Sequence, residues 1–447
     1  MYTYDIAIIG AGPCGIACAI KATENGKKVV VIEAGSDYEK RVCAVDAGGE
    51  CSNCSFCNVI AGFGGCVHYG DSAKLTYFPS GKALYNRLKV DYERIKKDAC
   101  KLWNVDCERN FISQEINTDD YNFSVKSYPV CVVSSRDIKE RIAYFKKEFT
   151  EKSIEYINSE MIDFEKEGRG FSVRLSKGDT VQCKRLVLAM GRQGMKWLKR
   201  NLDTKEIKYV PPTSSLGFRF EMPKKYLMEV GRKHPDFKAR TEENKEKFKT
   251  FCFCAGDNGG RLKFANYGEY TLLDGHVLTD SDEESEYGNF ALLRQVTLPS
   301  NSDKEYCEII KGIIDNYIEI SEGRPIYQSY MDFREMVETE SNIGISTKYV
   351  KKGCVYKLFS GDLKAYCNVA EEIFRYIADI NNICIEDIVR CTNVVGLELE
   401  GLWDQIITDE NFMTSVENLY IGGDCGGETQ GILQATMIGI KIAEAVS

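Results

Sequence analysis

Apolar residues fall along the chain in blocks whose spacing names the elements. YDIAII reads as a strand over Ile6–Ile9 and VVVI as a second buried strand over Val29–Ile32, with a helix to about Glu24 between them. In SSRDIKERIAYFKKEF a helical period brings Ile138, Ile142, Phe145 and Phe149 to one face. IEYINSEMIDFEKEGRGFSVRLSKGDTVQC then reads as a strand and a hairpin turning near Gly178-Asp179, and KRLVLAM as a further buried strand. Alternation returns in GFRFEM and GGRLKFANYGEYTLL, and AEEIFRYIADI is helical. The final block, NLYIGGDCGGETQGILQATMIGIKIAEAV, is a short strand, a glycine-rich turn and a helix. That helix carries Ala435, Gly439 and Ala443 four apart, which lets a neighbour pack closely.

A chain of 447 residues is long enough for two or three domains. Its hydrophobic fraction of 43% and charged fraction of 28% are those of a globular protein. A net charge of -9 argues against a nucleic-acid partner. No apolar run reaches membrane-spanning length; the longest, such as Leu186–Met190, are strand-sized. A strand at the very start leaves no room for a signal peptide, and the expected location is cytoplasmic. The Lys/Glu-rich run Lys238–Lys249 reads as solvated surface.

Between the first two strands lies Gly10-Ala11-Gly12-Pro13-Cys14-Gly15. Gly10 suits the tight turn, Gly12 the approach of a pyrophosphate, and Gly15 the packing of helix on strand. Pro13 suits the first helical turn, where a missing N–H loses nothing. Glu33, followed by Ala34, closes the second strand eighteen positions past Gly15, placed for an adenosine ribose. The unit is a dinucleotide site.

The C-terminal strand, Gly422-Gly423-Asp424 and the following helix resemble the second FAD signature of glutathione-reductase-like flavoproteins. That resemblance implies that Asp424 binds the ribityl chain and that Gly431 and Ile432 lie near the flavin pyrimidine ring. Ala189-Met190-Gly191 is similar to the motif of the same proteins that passes near FAD, and the backbone at about Ile162 is implied to meet adenine. More closely, the chain resembles the uncharacterised FAD-dependent dehydrogenase family, especially its anaerobe-type members with a cysteine-containing segment after the second strand. The residues that carry this likeness are Arg41, Cys43, Cys51, Cys54, Cys57, Asn58, the loop GFGGCVHYGDSAKL with Gly64 and Gly65, PPTSSLGFRFE and FCFCAGDNGG. Cys66 and His68 depart from the family pattern.

The fold class expected is α/β, a discontinuous Rossmann-like FAD-binding domain (1–90, 130–195 and 396–447) with an inserted α+β substrate domain (196–395) and a connecting segment (91–129). The function expected is an FAD-dependent oxidoreductase of the dehydrogenase or reductase type, acting on a small-molecule substrate. Alternatives are an electron-transfer or thiol-exchange flavoprotein serving an electron-carrier protein, and an FAD-binding structural or regulatory protein. No second GxGxxG unit is present, so rapid reduction by NADH or NADPH is not expected.

His68 and His276 are the candidate general acids or bases, because histidine titrates near neutrality. His234, before Pro235, reads as surface, and Arg219, Arg324 and Arg334 as possible carboxylate partners. Nineteen cysteines are many for a chain of this kind, and Cys51, Cys54 and Cys57 recur every three residues. With Cys43 or Cys66 as a fourth ligand, that spacing suits an iron–sulfur cluster or, second, zinc. A redox dithiol involving Cys51 and Cys54, and plain packed thiols, stay open beside it.

Overall fold

The computed structural model describes residues 3–65, 72–112, 114–280, 284–296, 303–338, 343–428 and 430–446, the side chains of 303–307 excepted. His68, Cys66 and Asp71 lie outside the described residues.

The first strand, Tyr4–Ile9, runs parallel to Val29–Glu33 on one side and to Thr180–Leu188 on the other. Glu155–Asn158 extends the sheet beyond Val29–Glu33. All five residues of Val29–Glu33 are buried, as expected for a parallel strand covered on both faces. The strand expected at Lys184 is continuous with an arm of the hairpin, giving the nine-residue strand Thr180–Leu188. Its first half pairs antiparallel with Gly170–Leu175, itself paired with Met161–Glu167, and its second half pairs parallel with Leu419–Ile421. The helix Ser135–Glu151 covers this sheet with Ile138, Ile142, Phe145 and Phe149 all buried, capped by the Ser134 hydroxyl on the Asp137 N–H.

The small residues of the C-terminal helix, Ile432–Ala445, meet the helix Pro13–Glu24. A Cβ on Gly439 would stand 2.2 Å from the Cys14 carbonyl oxygen, so glycine sets how closely the two helices cross. Their N-termini thereby reach the same end of the sheet.

A second sheet of eight strands runs in the order Lys351–Lys352, Ile326–Ser329, Asn393–Glu400, Ser215–Pro223, Tyr287–Gln295, Glu246–Cys254, Ala239–Glu243, Ser124–Val125. Its aromatic core sits under the helix Leu363–Asn381, where Phe374 meets Phe220 edge-on at 5.4 Å. The hairpin Gly260–Asn266/Thr271–Val277 meets the first domain through Lys263 on Asp46, Asn266 on Cys51 and Asp274 on Arg192. Asn393–Glu400 lies wholly in the second sheet, across the position 396 expected as a boundary. The helix Tyr92–Leu102, expected in a connector, packs Tyr92, Ile95 and Ala99 into the core of the first domain.

Candidate functional site

Two glycine turns meet at the end of the first sheet. Gly10 has φ +107°, and a Cβ there would stand 2.3 Å from the Ala189 carbonyl oxygen, so glycine alone fits. Gly12 precedes the helix Pro13–Glu24 and caps it with no side-chain hydrogen bond. The first-turn N–H groups and the positive end of the helix dipole are left for an anion. Opposite, the Gly64 N–H donates to the Ala11 carbonyl at 2.8 Å, and Gly65 faces Gly12 across the gap.

Glu33 ties these turns together. Its carboxylate accepts N–H bonds from Ala11 (2.7 Å), Gly35 (2.8 Å) and Gly62 (3.1 Å). A cleft with about 700 Å³ of empty space follows the turns, lined by Gly10, Gly12, Glu33, Ala34, Gly65, Ala189 and Gly191. Ser159, Glu160 and Met161 close its far end. Ile162 does not: it is 41% exposed, and its carbonyl accepts the Trp197 indole N–H at 2.8 Å. Successive strand residues face opposite ways, and the inward one here is Met161.

Arg41 is also placed differently from expectation. Its guanidinium donates to the carbonyls of Asn58, Val59, Phe63 and Gly65, so it shapes the glycine loop from behind and does not line the cleft. The side chain of Cys14 turns away as well, onto Gly422 in the helix crossing.

Beyond the glycine turns a larger cavity, with about 1930 Å³ of empty space, opens between the two domains. Asp424, Gly431 and Ile432 line it, with Gly431 at φ +116° capping the C-terminal helix. Gly423 sits beside Cys14 at φ +75°, turning the chain into Asp424. Arg192 bridges the domains: it pairs with Asp274 of the hairpin at 3.1 Å and lies 4.0 Å from Asp424. Burial raises the Asp424 carboxyl above its ordinary value, with Arg192 opposing and Asp274 assisting. Burial works against the charge of Asp274 too, but Arg192, His276 and Arg219 outweigh it and hold the group ionised. His276 stands on the cavity wall beside it.

The wall facing these groups is basic: Lys74, Lys82, Lys126, Lys238 and Arg240 line it. Asp236 pairs with Lys74 (3.3 Å) and accepts the Tyr128 hydroxyl. Glu398 pairs with Arg219, Glu400 with Lys249 and Glu428 with Arg87. Lys126 has different neighbours, the Tyr128 ring and the cations Arg240, Lys238 and Lys82. Burial and those cations push its ammonium down to about 8. Lys238 and Arg240 thus line the cavity; Lys238 is half-buried, which corrects the solvated reading at that residue, while Arg240 is exposed as that reading expects.

Arg219 is fully buried and spent on Glu398, while Arg324 and Arg334 are engaged by Glu50 and Glu371. His234 is buried, not exposed: it ends the helix Lys224–Lys233, packs edge-on against Tyr128 and accepts the Asp236 N–H at 3.3 Å.

Cys43, Cys51, Cys54 and Cys57 line a separate small cavity. The hairpin stands between it and the large one, with Phe264 and Asn266 facing the cysteines and Ala265 and Tyr267 the other side. Cys51 and Cys54 are therefore not on the wall of the cavity that holds Asp424. Asn266 donates to the sulfurs of Cys51 (3.3 Å) and Cys57 (3.4 Å), while Cys54 is exposed. Among the described residues, no group of three or more His, Cys, Asp or Glu is disposed to hold a metal ion. Among the described residues Cys43, Cys51, Cys54 and Cys57 do not converge as a cluster or zinc site needs, and Cys66, the other fourth ligand expected, lies outside them.

One pair was missed. Cys252 and Cys254 stand in FCFCAGDNGG, their sulfurs 3.5 Å apart, with Cys252 on the wall of the large cavity and Cys254 buried behind it. A C-x-C in a strand was the available signal, overshadowed by the denser run at 51–57.

Residues 4–62 match the model of the pyridine nucleotide-disulphide oxidoreductase family. No match is found among curated proteins. Among solved structures, the chain is similar to a flavoprotein/dehydrogenase from Cytophaga hutchinsonii (10% identity, 99% of this chain and 77% of that one, TM-score 0.42). It is also similar to glycine oxidase from Geobacillus kaustophilus (12%, 100% and 95%, 0.41) and to flavin-dependent brominase Bmp2 (12%, 99% and 78%, 0.40). The fold class is as expected, α/β with a Rossmann-like nucleotide-binding domain and a second domain.

Proposed function

We infer that the protein is an FAD-dependent oxidoreductase acting on a small anionic molecule. The residues fit the cofactor: Gly10, Gly12 and Gly65 form a cradle that a Cβ would fill or strain, a helix N-terminus faces it, and a cleft runs to Glu33. Gly10, Gly12, Gly65 and Gly191 would border the pyrophosphate, Glu33 the ribose, and Asp424 the ribityl chain. Bound FAD supplies two-electron transfer.

The observation that carries the substrate class is the basic wall. Lys74, Lys82, Lys126, Lys238 and Arg240 line the cavity that Asp424 and Gly431 share, and among the described residues Lys126 feels the charges of Arg240, Lys238 and Lys82. A carboxylate or phosphate ester entering there relieves that repulsion, and Lys126 and Lys238 would orient it. His276, held near the charge of Asp274, is the group placed to take or give a proton at the substrate.

The test has two arms. Purified protein is reconstituted with FAD and compared with Asp424→Ala, which is expected to bind FAD more weakly. Anaerobic bleaching of the flavin band is then screened with carboxylates, phosphate esters and neutral or cationic analogues. No FAD uptake would overturn the cofactor; bleaching confined to neutral or cationic compounds would overturn the substrate class alone.

A further inference from the structure

The strand Glu246–Cys254 does not end regularly. Its pairing with Tyr287–Gln295 slips between Phe251 and Cys254, and Cys252 takes φ +47°. In a flat strand, residues two apart project on one side at nearly twice the rise of a single residue. Here the bulge folds the backbone so that the two sulfurs come to 3.5 Å. The surroundings of the two thiols differ. Cys252 lines the large cavity, its thiol directed to the Gly275 carbonyl at 3.1 Å. Cys254 is fully buried, with Arg219 Nη1 3.9 Å from its sulfur and Lys74 Nζ bonded to the carbonyl of the intervening Phe253.

We propose that Cys252 and Cys254 form a redox couple on the wall of the flavin cavity, cycling between dithiol and disulfide. The pairing of that cavity with FAD rests on the function inferred above; the couple itself rests on the sulfur geometry. A disulfide needs the sulfurs at about 2.0 Å, so each moves by less than about 1 Å from its present place. Burial opposes a thiolate at Cys254, but the Cys252 thiol, Lys74 and Arg219 outweigh it and lower Cys254, while the Cys254 sulfur and burial push Cys252 up. Asp274 faces the pair from the hairpin and acts in the opposite sense on Cys254. One sulfur is thus ready to attack and the other to hold its proton.

Oxidation breaks two S–H bonds and forms one S–S bond, releasing two electrons and two protons. The two electrons and one of the protons would go to bound, oxidised FAD, and the second proton would pass to solvent through the cavity. In reverse, the Cys252–Cys254 disulfide would be reopened by two electrons from reduced FAD and two protons. Such a couple lets the protein store a second pair of electrons when its substrate delivers them faster than the acceptor removes them.

The experiment uses the full chain, with and without FAD. Both forms are equilibrated anaerobically in dithiothreitol redox buffers, quenched by alkylation and mapped by peptide mass spectrometry. The expected result is a single two-electron transition on the Cys252–Cys254 peptide in both forms, lost in Cys252→Ser and kept in Cys54→Ser. Dithionite titration of the oxidised, FAD-loaded protein is expected to take up two two-electron equivalents, and Cys252→Ser one; a circular-dichroism melt confirms that the variant is folded. Thiols alkylated at every potential would overturn the couple while leaving the FAD reading intact. A disulfide transition with uptake of only one equivalent would overturn its exchange with flavin. A disulfide transition in a protein that binds no FAD would overturn the cofactor reading and keep the couple.

Discussion

Gly65 faces Gly12 so closely that a Cβ on Gly65 would stand 3.1 Å from the Gly12 Cα and 3.2 Å from the Pro13 Cδ. Two loops separated by some fifty residues thus form the two lips of one groove at a helix N-terminus. A phosphate held there meets backbone from both sides and no side chain, which explains why neither position carries one.

Gly65→Ala is expected to weaken FAD binding by at least about tenfold, because the added methyl narrows the groove and φ +63° disfavours it. Gly178→Ala is the control: it also has positive φ (+90°), but its Cβ meets nothing within 4 Å and it lies in a hairpin turn. Fluorescence titration of both should show the loss at Gly65 alone. Equal losses would assign the effect to backbone strain.

Glu33 is expected to hold the fold as well as the cofactor. Its carboxylate takes three backbone N–H groups from three loops, and Glu33→Ala leaves all three without their partner. The loss is on the order of 3 kcal/mol, given the cost of orphaned buried donors. Urea unfolding of the protein without FAD measures it, and unchanged stability would leave Glu33 a ribose ligand only.

Much of this site was legible because it is local. Gly10, Gly12, Gly15 and Glu33 lie within one βαβ unit, where spacing along the chain fixes spacing in space. Asp424 and Gly431 were placed by resemblance, and both line the large cavity. What stayed hidden depends on contacts far apart in the chain. The inward turn of Arg41 is set by carbonyls seventeen to twenty-four residues on. The separation of the Cys51–Cys57 segment from the large cavity is set by a hairpin more than two hundred residues away. A cysteine spacing shows what could ligate, but not whether the side chains converge.

Stability should depend on pH through Glu221. This carboxyl is fully buried, and burial pushes it up to about 7 despite hydrogen bonds from Ser346 and the charge of Arg219. The folded chain therefore holds this proton more tightly than the unfolded one, whose carboxyl titrates near 4.5. The stabilisation is complete below about pH 4.5 and is lost as pH rises through about 7. At about 1.4 kcal/mol per unit, the span is about 3 kcal/mol. Glu221→Gln cannot ionise, so its stability relative to wild type should rise between about pH 5 and 8. A difference that is flat with pH would mean that Glu221 titrates normally.

Anion binding should carry the signature of Lys126. Its ammonium is held down to about 8 by burial and by Arg240, Lys238 and Lys82, so it begins to lose its charge in a range where an ordinary lysine is fully protonated. Sulfate keeps one charge state throughout that range, so it reports on the protein alone. Its affinity for the oxidised, FAD-loaded protein is expected to fall as pH rises from about 7 to 9. Lys126→Met should weaken sulfate binding about tenfold at pH 7, the loss of one charge-assisted contact, and should remove the inflection near 8. It should also remove like-charge repulsion from the empty cavity, so the ligand-free variant is expected to melt no lower than wild type. Lys126→Arg restores the charge and, because guanidinium does not titrate here, should bind sulfate without the inflection. Calorimetric titration at three pH values decides the matter. An inflection near 8 that persists in Lys126→Met belongs to another group on the wall, and sulfate affinity unchanged by either substitution places the anion elsewhere in the cavity.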